Sequence, residues 1–406
     1  MGSWPPSSYQ MRPNHKRSQK NFMKKKLQLA LNKYKPIPPK LQGDSEESPK
    51  TIIDLDLAAL YHHFYLDTYG TQPPNPDPAQ FEHMRFLVPD DELRFQGEGV
   101  GASTNAKRAK SSEMGQAFCR WFLHEHLGIK YFAHLDRLID DTGENLHGFT
   151  LERTAPGDMP DYLCSDGAGS VVLAEAKGRY TSVGFNTKEF GNWRKQFTRV
   201  RVLDSKGEAV WIKGHIVATR FATESTPKVQ TKLFAEDPIT EGREPLSGET
   251  ARSLSGQIIC SHYSNALMKI DQPLLALAIR RSRRLESQSR IPVTLWKFAF
   301  DDQQRHFVGG YYANDTNEPL IDLENGQATH RSRDPFRLGV HSGTFVGVEL
   351  SVFEHLVKVA RGDARLLDGL PEVEPIREIY SGISMLRDGS IVGPLSMFIP
   401  VSLNNY

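Results

Sequence analysis

The sequence predicts an α/β fold, a mixed sheet flanked by helices, followed by a C-terminal α+β unit. Three observations predict it. Val171 to Ala174 is an almost continuous apolar run, the mark of a central strand buried on both faces. Ser111 to Leu127 and Lys188 to Val200, one before that run and one after it, carry apolar residues at 3.6-residue spacing and are predicted helices. Phe234 to Thr250 is rich in Pro, Gly and acids and separates the two units as a linker.

With 406 residues the chain has room for two or three domains and a sizeable core. Its net charge of +1 is unevenly spread, because Met1 to Gln42 holds ten Lys/Arg and no acid. Residues 1–50 are therefore expected to be a basic, disordered arm, with a short helix at Lys24 to Tyr34 that carries Leu27, Leu29 and Leu31 on one side. The arm has two open roles: contact with a phosphate backbone, or a solubilising or docking tail. The core is expected over 51–233, the linker over 234–250 and the second unit over 251–406.

Ile52 to Tyr69 is predicted as one helix, in which His62 and His63 are surface or packing residues. A Pro/Asn/Asp loop follows from Thr71 to Asp77. The loop Gly97 to Ser103 lacks the strand and glycine spacing of a dinucleotide-binding turn. In the helix Ser111 to Leu127, Ser111 or Ser112 is the expected cap and Glu113 sits in the first turn, where an acid suits the helix dipole. His124 and His126 are expected to be exposed. Ile129 to His134 and Gly148 to Arg153, around a turn at Asp140 to Gly143, are expected to pair with the strands that follow. Ala209 to Thr219 supplies a further strand.

In the C-terminal unit Gln257 to Leu285 reads as one or two helices ending in Arg280-Arg281-Ser282-Arg283-Arg284. Four arginines in five residues exceed what capping requires, and the run reads first as cations favoured by the helix dipole and second as a face for nucleic acid or an acidic partner. Strands are expected at Val293 to Tyr312 and Phe345 to Leu350, a helix at Val352 to Ala360, and a hairpin on Asp388-Gly389. Cys119, Cys164 and Cys260 lie far apart without zinc spacing and are expected to be reduced, buried thiols. No signal peptide or membrane span is seen, so a cytoplasmic protein with no membrane partner is expected.

The chemistry is concentrated between Pro156 and Tyr180. Two strands joined by Ser165 to Gly169 bring Asp161, at the start of the first, beside Glu175 and Lys177, which share a face of the second. Two carboxylates and an ammonium at a strand end suit one divalent cation and a polarised water. A charged pair at the end of a buried strand is costly unless it has partners or a task.

Pro160-Asp161, the hairpin and Glu175-Ala176-Lys177 resemble the motif of the PD-(D/E)XK phosphodiesterase superfamily. The resemblance implies a restriction-endonuclease-like core and a Mg²⁺-dependent deoxyribonuclease, an endonuclease before an exonuclease, with Mn²⁺ as a substitute. It implies that Asp161, Glu175, the carbonyl of Ala176 and Glu113 hold the metal, and that Lys177 orients or deprotonates the water. Gln196, on the following helix, would position substrate; the aromatic residue usually found four positions after such a Gln is Val200 here. A role in genome defence, DNA as partner, a homo-oligomer that pairs two sites and a protein partner for the second unit are the expected context. The alternative is a nucleic-acid-binding or scaffolding subunit that cleaves only within an assembly, or not at all.

Overall fold

Leu27 and Leu29 recur at a spacing of two, which is the periodicity of a strand rather than a helix. In the computed structural model Lys24–Asn32 is accordingly a strand inside a sheet, not part of a free arm. Lys25 on its buried face gives its ammonium to the carbonyls of Val88 and Asp90. The structure describes residues 24–68, 81–140, 148–242, 244–246, 248–300, 303–312, 321–324, 327–330, 343–367, 369–376 and 382–406. The first 23 residues of the expected arm, the loop Thr71 to Asp77 and the turn residues 141–143 lie outside them.

The first part of the chain comprises β1 (Lys24–Asn32), β2 (Ile52–Asp56), α1 (Leu57–Thr68), α2 (Glu82–Arg85), α3 (Thr104–Leu127), β3 (Tyr131–His134) and α4 (Leu135–Asp140). Next come β4 (Thr150–Arg153), β5 (Tyr162–Ser165), β6 (Val171–Arg179), α5 (Lys188–Arg194), β7 (Val200–Leu203), β8 (Ala209–Val210), β9 (Lys213–Arg220) and β10 (Lys232–Glu236). The remainder holds α6 (Gly248–Lys269), α7 (Pro273–Arg280), β11 (Pro292–Phe298), β12 (His306–Tyr312), β13 (Ile321–Glu324) and β14 (Gln327–His330). It ends with β15 (Thr344–Glu349), α8 (Leu350–Arg361), β16 (Ser384–Met385), β17 (Ser390–Pro394) and β18 (Phe398–Asn405).

The architecture is mixed α/β. A seven-stranded sheet runs in the order β2-β1-β10-β9-β6-β5-β3. Within it β3, β5 and β6 are successively antiparallel, whereas β9 joins β6 in parallel after the α5 crossover. A six-stranded antiparallel sheet, β16-β17-β15-β12-β11-β18, forms most of the C-terminal part, with α8 packed on it. Helix α6 lies against β3 and β5 of the first sheet and pairs with α7. One continuous buried apolar cluster serves both sheets.

Five expectations need correction. Residues 52–69 are not one helix: Ile53 and Leu55 alternate as a strand, and Asp56 then caps α1 by accepting from the amides of Ala58 and Ala59 at 2.7 and 3.3 Å. The linker does not start at Phe234, since Phe234 to Glu236 are buried within β10. Strand β4 pairs with β7 in a separate three-stranded sheet rather than with the motif hairpin. Helix α3 starts at Thr104, where Ser103 Oγ accepts from Ala106 N at 3.2 Å, so Glu113 lies mid-helix and the dipole argument for it lapses. His124 is buried rather than exposed and His126 half-buried, because α1 and the β16–β17 turn cover that end of α3. The three thiols are free and buried, and among the described residues no helix is long and apolar enough to cross a membrane.

Candidate active site

Alternation along β6 gives its two faces different work. Ala176 and Gly178 face α3, and the two backbones nearly touch: a Cβ on Gly178 would overlap the carbonyl oxygen of Ser111, and one on Gly115 the Gly178 amide. Leu173, Glu175, Lys177 and Arg179 face the other way. Leu173 shares a cleft with Arg194 and Phe197, and the Arg179 guanidinium lies 5.3 Å from the Trp193 ring centroid, so α5 covers this face. Arg194 ties α5 to β10 by donating from Nε and Nη2 to the buried Glu236 carboxylate at 2.6 and 2.7 Å.

Strand β5 is shorter than β6. The last ladder pair at this end is Tyr162 with Ala174, so Asp161 stands where the pairing stops. Its Oδ2 accepts from the Ala176 amide at 2.8 Å, and Gln116 Nε2 of α3 donates to Oδ1 at 3.4 Å. A strand residue directs its N–H and C=O to the same side, so the Ala176 carbonyl opens toward Asp161 as well. Glu175 is fully buried, with the Lys177 ammonium against Oε1 and no hydrogen bond to Oε2.

Burial, and then the neighbouring Asp161 charge, pushes the Glu175 carboxyl well above the ordinary carboxylate range. Burial alone would lower the Lys177 ammonium, but Glu175 and Asp161 outweigh it and hold Lys177 above its ordinary value. The structure thus brings Asp161, Glu175, Ala176 and Lys177 together as the sequence implies. It does not bring Glu113 into a three-carboxylate set: among the described residues no group of three or more His, Cys, Asp or Glu is placed to hold a metal. The Glu113 carboxylate instead lies 3.5 Å from Lys110. Gln196 is buried in the 3-10 turn that follows α5, and its Oε1 has no hydrogen-bond partner.

Two features escaped the sequence reading. Gln116, one helical turn beyond Glu113, is the α3 residue that reaches Asp161. Beneath the site, Asp67 is buried and receives Arg120 Nη1 at 2.8 Å and Tyr162 Oη at 2.9 Å, with His134 Nε2 at 3.0 Å. Burial pushes the Asp67 carboxyl up, but His134 and Arg120 outweigh it and hold it well below its usual range. This cluster locks the ends of β3 and β5 beside Asp161. Its members are 53 and 95 residues apart in sequence, so only the fold reveals it. No family model, curated protein or solved structure matches the chain.

Proposed function

We propose that the protein is a Mg²⁺-dependent phosphodiester hydrolase acting on DNA, with its site at the Asp161 end of the β5–β6 hairpin. The observation that carries this is the buried Glu175 beside Asp161, with one carboxylate oxygen unsatisfied and a lysine ammonium on the other. The order helix, three strands, helix and parallel strand around them supports a restriction-endonuclease-like core.

The donor set fits a magnesium ion. A buried carboxyl whose proton affinity is raised by a neighbouring carboxylate charge is relieved by a cation, and Mg²⁺ takes one or two carboxylates while keeping several waters. Asp161, Glu175 and the carbonyl of Ala176 would hold it, and it would supply Lewis acidity toward a phosphoryl oxygen and a more acidic water. Gln116 and the Ala176 amide fix the Asp161 carboxylate. Lys177, held as an ammonium by Glu175 and Asp161, orients a water and offsets charge developing on the phosphoryl group. Among the described residues the chain carries one such site, so a concerted double-strand cut takes two chains.

The test is incubation of wild type, Asp161→Ala and Lys177→Ala with supercoiled plasmid, linear duplex and single strands, in Mg²⁺, Mn²⁺ or chelator. Metal-dependent cleavage by the wild type is expected, with a loss of about 100-fold or more in both variants. Cleavage that persists in both variants, or salt-sensitive binding with no cleavage by the wild type, would overturn it, the latter in favour of a binding subunit.

A further inference from the structure

The arginine run at the end of α7 is not one feature. Arg284 donates from Nε to the carbonyl of Arg361 at 2.7 Å and thereby ties the segment after α7 to the end of α8. Arg280 instead lines a cleft together with Arg137, Asn265 and Cys260. Arg137 belongs to α4, whose first amide, that of Leu135, donates to the Asp161 carbonyl at 3.0 Å. Three arginines, Arg137 from one part of the chain and Arg280 and Arg281 from another, are thus gathered on the surface that leads away from the site.

Among the described residues the two exposed members lack counter-ions. Arg137 reaches only the amide oxygen of Asn265, at 3.4 Å, and among the described residues neither Arg137 nor Arg281 makes an ion pair. Asp136 is turned to Arg153 at 4.0 Å, and Asp67 is committed to Arg120, His134 and Tyr162. Burial and the neighbouring charges act together on the cations of this surface. Burial first, then the charges of Arg137 and Arg281, lowers Arg280, and burial followed by Arg120 and Arg137 brings the neighbouring Lys269 down to about 7. Like charges crowded together on an exposed face are stabilised by a polyanion.

We propose that Arg137, Arg280 and Arg281 form a track for the phosphate backbone of duplex DNA, running from the Asp161 site across α4 to the end of α7. This rests on the hydrolase reading and gives that site a means of holding substrate outside the scissile bond. Contacts of this kind position the duplex without reading its sequence.

The experiment measures binding of a labelled duplex in chelator over a range of salt concentrations. It compares wild type with the double variant Arg137→Gln/Arg281→Gln, both positions being exposed. Arg365→Gln serves as control, because Arg365 lines a cavity beside the 166–170 turn at the opposite end of the hairpin. The double variant is expected to bind more weakly and to flatten the log–log salt slope by roughly 1.8, about 0.9 for each phosphate that is no longer neutralised. The control is expected to match wild type, and Mg²⁺-dependent cleavage of bis(p-nitrophenyl) phosphate, too small to reach the track, is expected to be unchanged in the double variant.

Unchanged affinity and slope in a double variant that still cleaves would overturn the track and leave the hydrolase reading standing. Absent cleavage with a lowered slope would do the reverse. Displacement of the duplex by poly-glutamate at equal charge would overturn DNA as the occupant in favour of an acidic protein, and no binding by the wild type would overturn the track outright.

Discussion

Glu175 and Lys177 stand two apart on one strand face, and their protonation differs between folded and unfolded chain in opposite ways. Burial, reinforced by Asp161, keeps the Glu175 carboxyl well above its ordinary range. The folded chain therefore holds a proton that the unfolded chain releases above about pH 4.3, and stability falls as pH rises from there toward the raised folded value. Lys177, raised above its ordinary value, is charged in both states up to about pH 10 and adds no slope below that. In chelator, wild type is expected to lose Tm relative to Glu175→Gln as pH rises above about 4.3, since the amide does not titrate. Parallel Tm profiles would refute a buried, proton-holding Glu175. Asp161, Glu175 and Lys177 were legible in the sequence because one hairpin carries all three. Gln116 was not, because its contact with Asp161 spans 45 residues and depends on how α3 lies across β6.

The α3–β6 contact sets the site at the next scale up, and two small residues make it. Gly178→Ala would drive a Cβ into the Ser111 carbonyl, backbone against backbone, so α3 must move and Gln116 with it. Overpacking of this kind costs about 1–3 kcal/mol, and cleavage is expected to fall with it. Gly191→Ala, inside α5, meets open space and is expected to be neutral or to stabilise by about 0.4–1 kcal/mol. Denaturant midpoints of the two variants check the contrast, and equal midpoints would show that the close approach is not tight. The sequence revealed such elements unevenly. Helix α3 announced itself by its apolar stripe, whereas β1 was hidden in a lysine-rich segment whose composition suggests disorder. Only the alternation of Lys25, Leu27 and Leu29 on one buried face, set against a distant partner strand in the register Gln28 with Lys232, accounts for it. The strand β10 was likewise concealed, because its last three residues open a stretch rich in Pro, Gly and acids.

Across the whole molecule the two sheets behave as one body, since polar contacts join what the sequence separates by a linker. His62 Nδ1 meets Ser384 Oγ at 3.0 Å, and Tyr65 Oη meets Tyr312 Oη at 3.4 Å. These pairings lie 322 and 247 residues apart, beyond the reach of any local pattern. The fold also buries imidazoles. Burial, the largest cause for each, lowers His62, His83 and His126 to about 4 and His215 to about 3. A histidine with a depressed folded value is neutral in the native chain but takes up a proton on unfolding below about pH 6.5. Its contribution is therefore complete above that pH and is lost as pH falls through the folded value of 3 to 4. Each such residue steepens the loss by up to about 1.4 kcal/mol per pH unit, and several act over the same window. Between about pH 6.5 and 4 the protein is expected to lose stability cooperatively in both sheets, with near-UV and far-UV circular dichroism changing together. His62→Gln is expected to make that loss shallower by about one proton. An unchanged slope would show that His62 does not couple the sheets to pH, and separate transitions for the two spectral regions would show that the polar seam does not bind them into one cooperative unit.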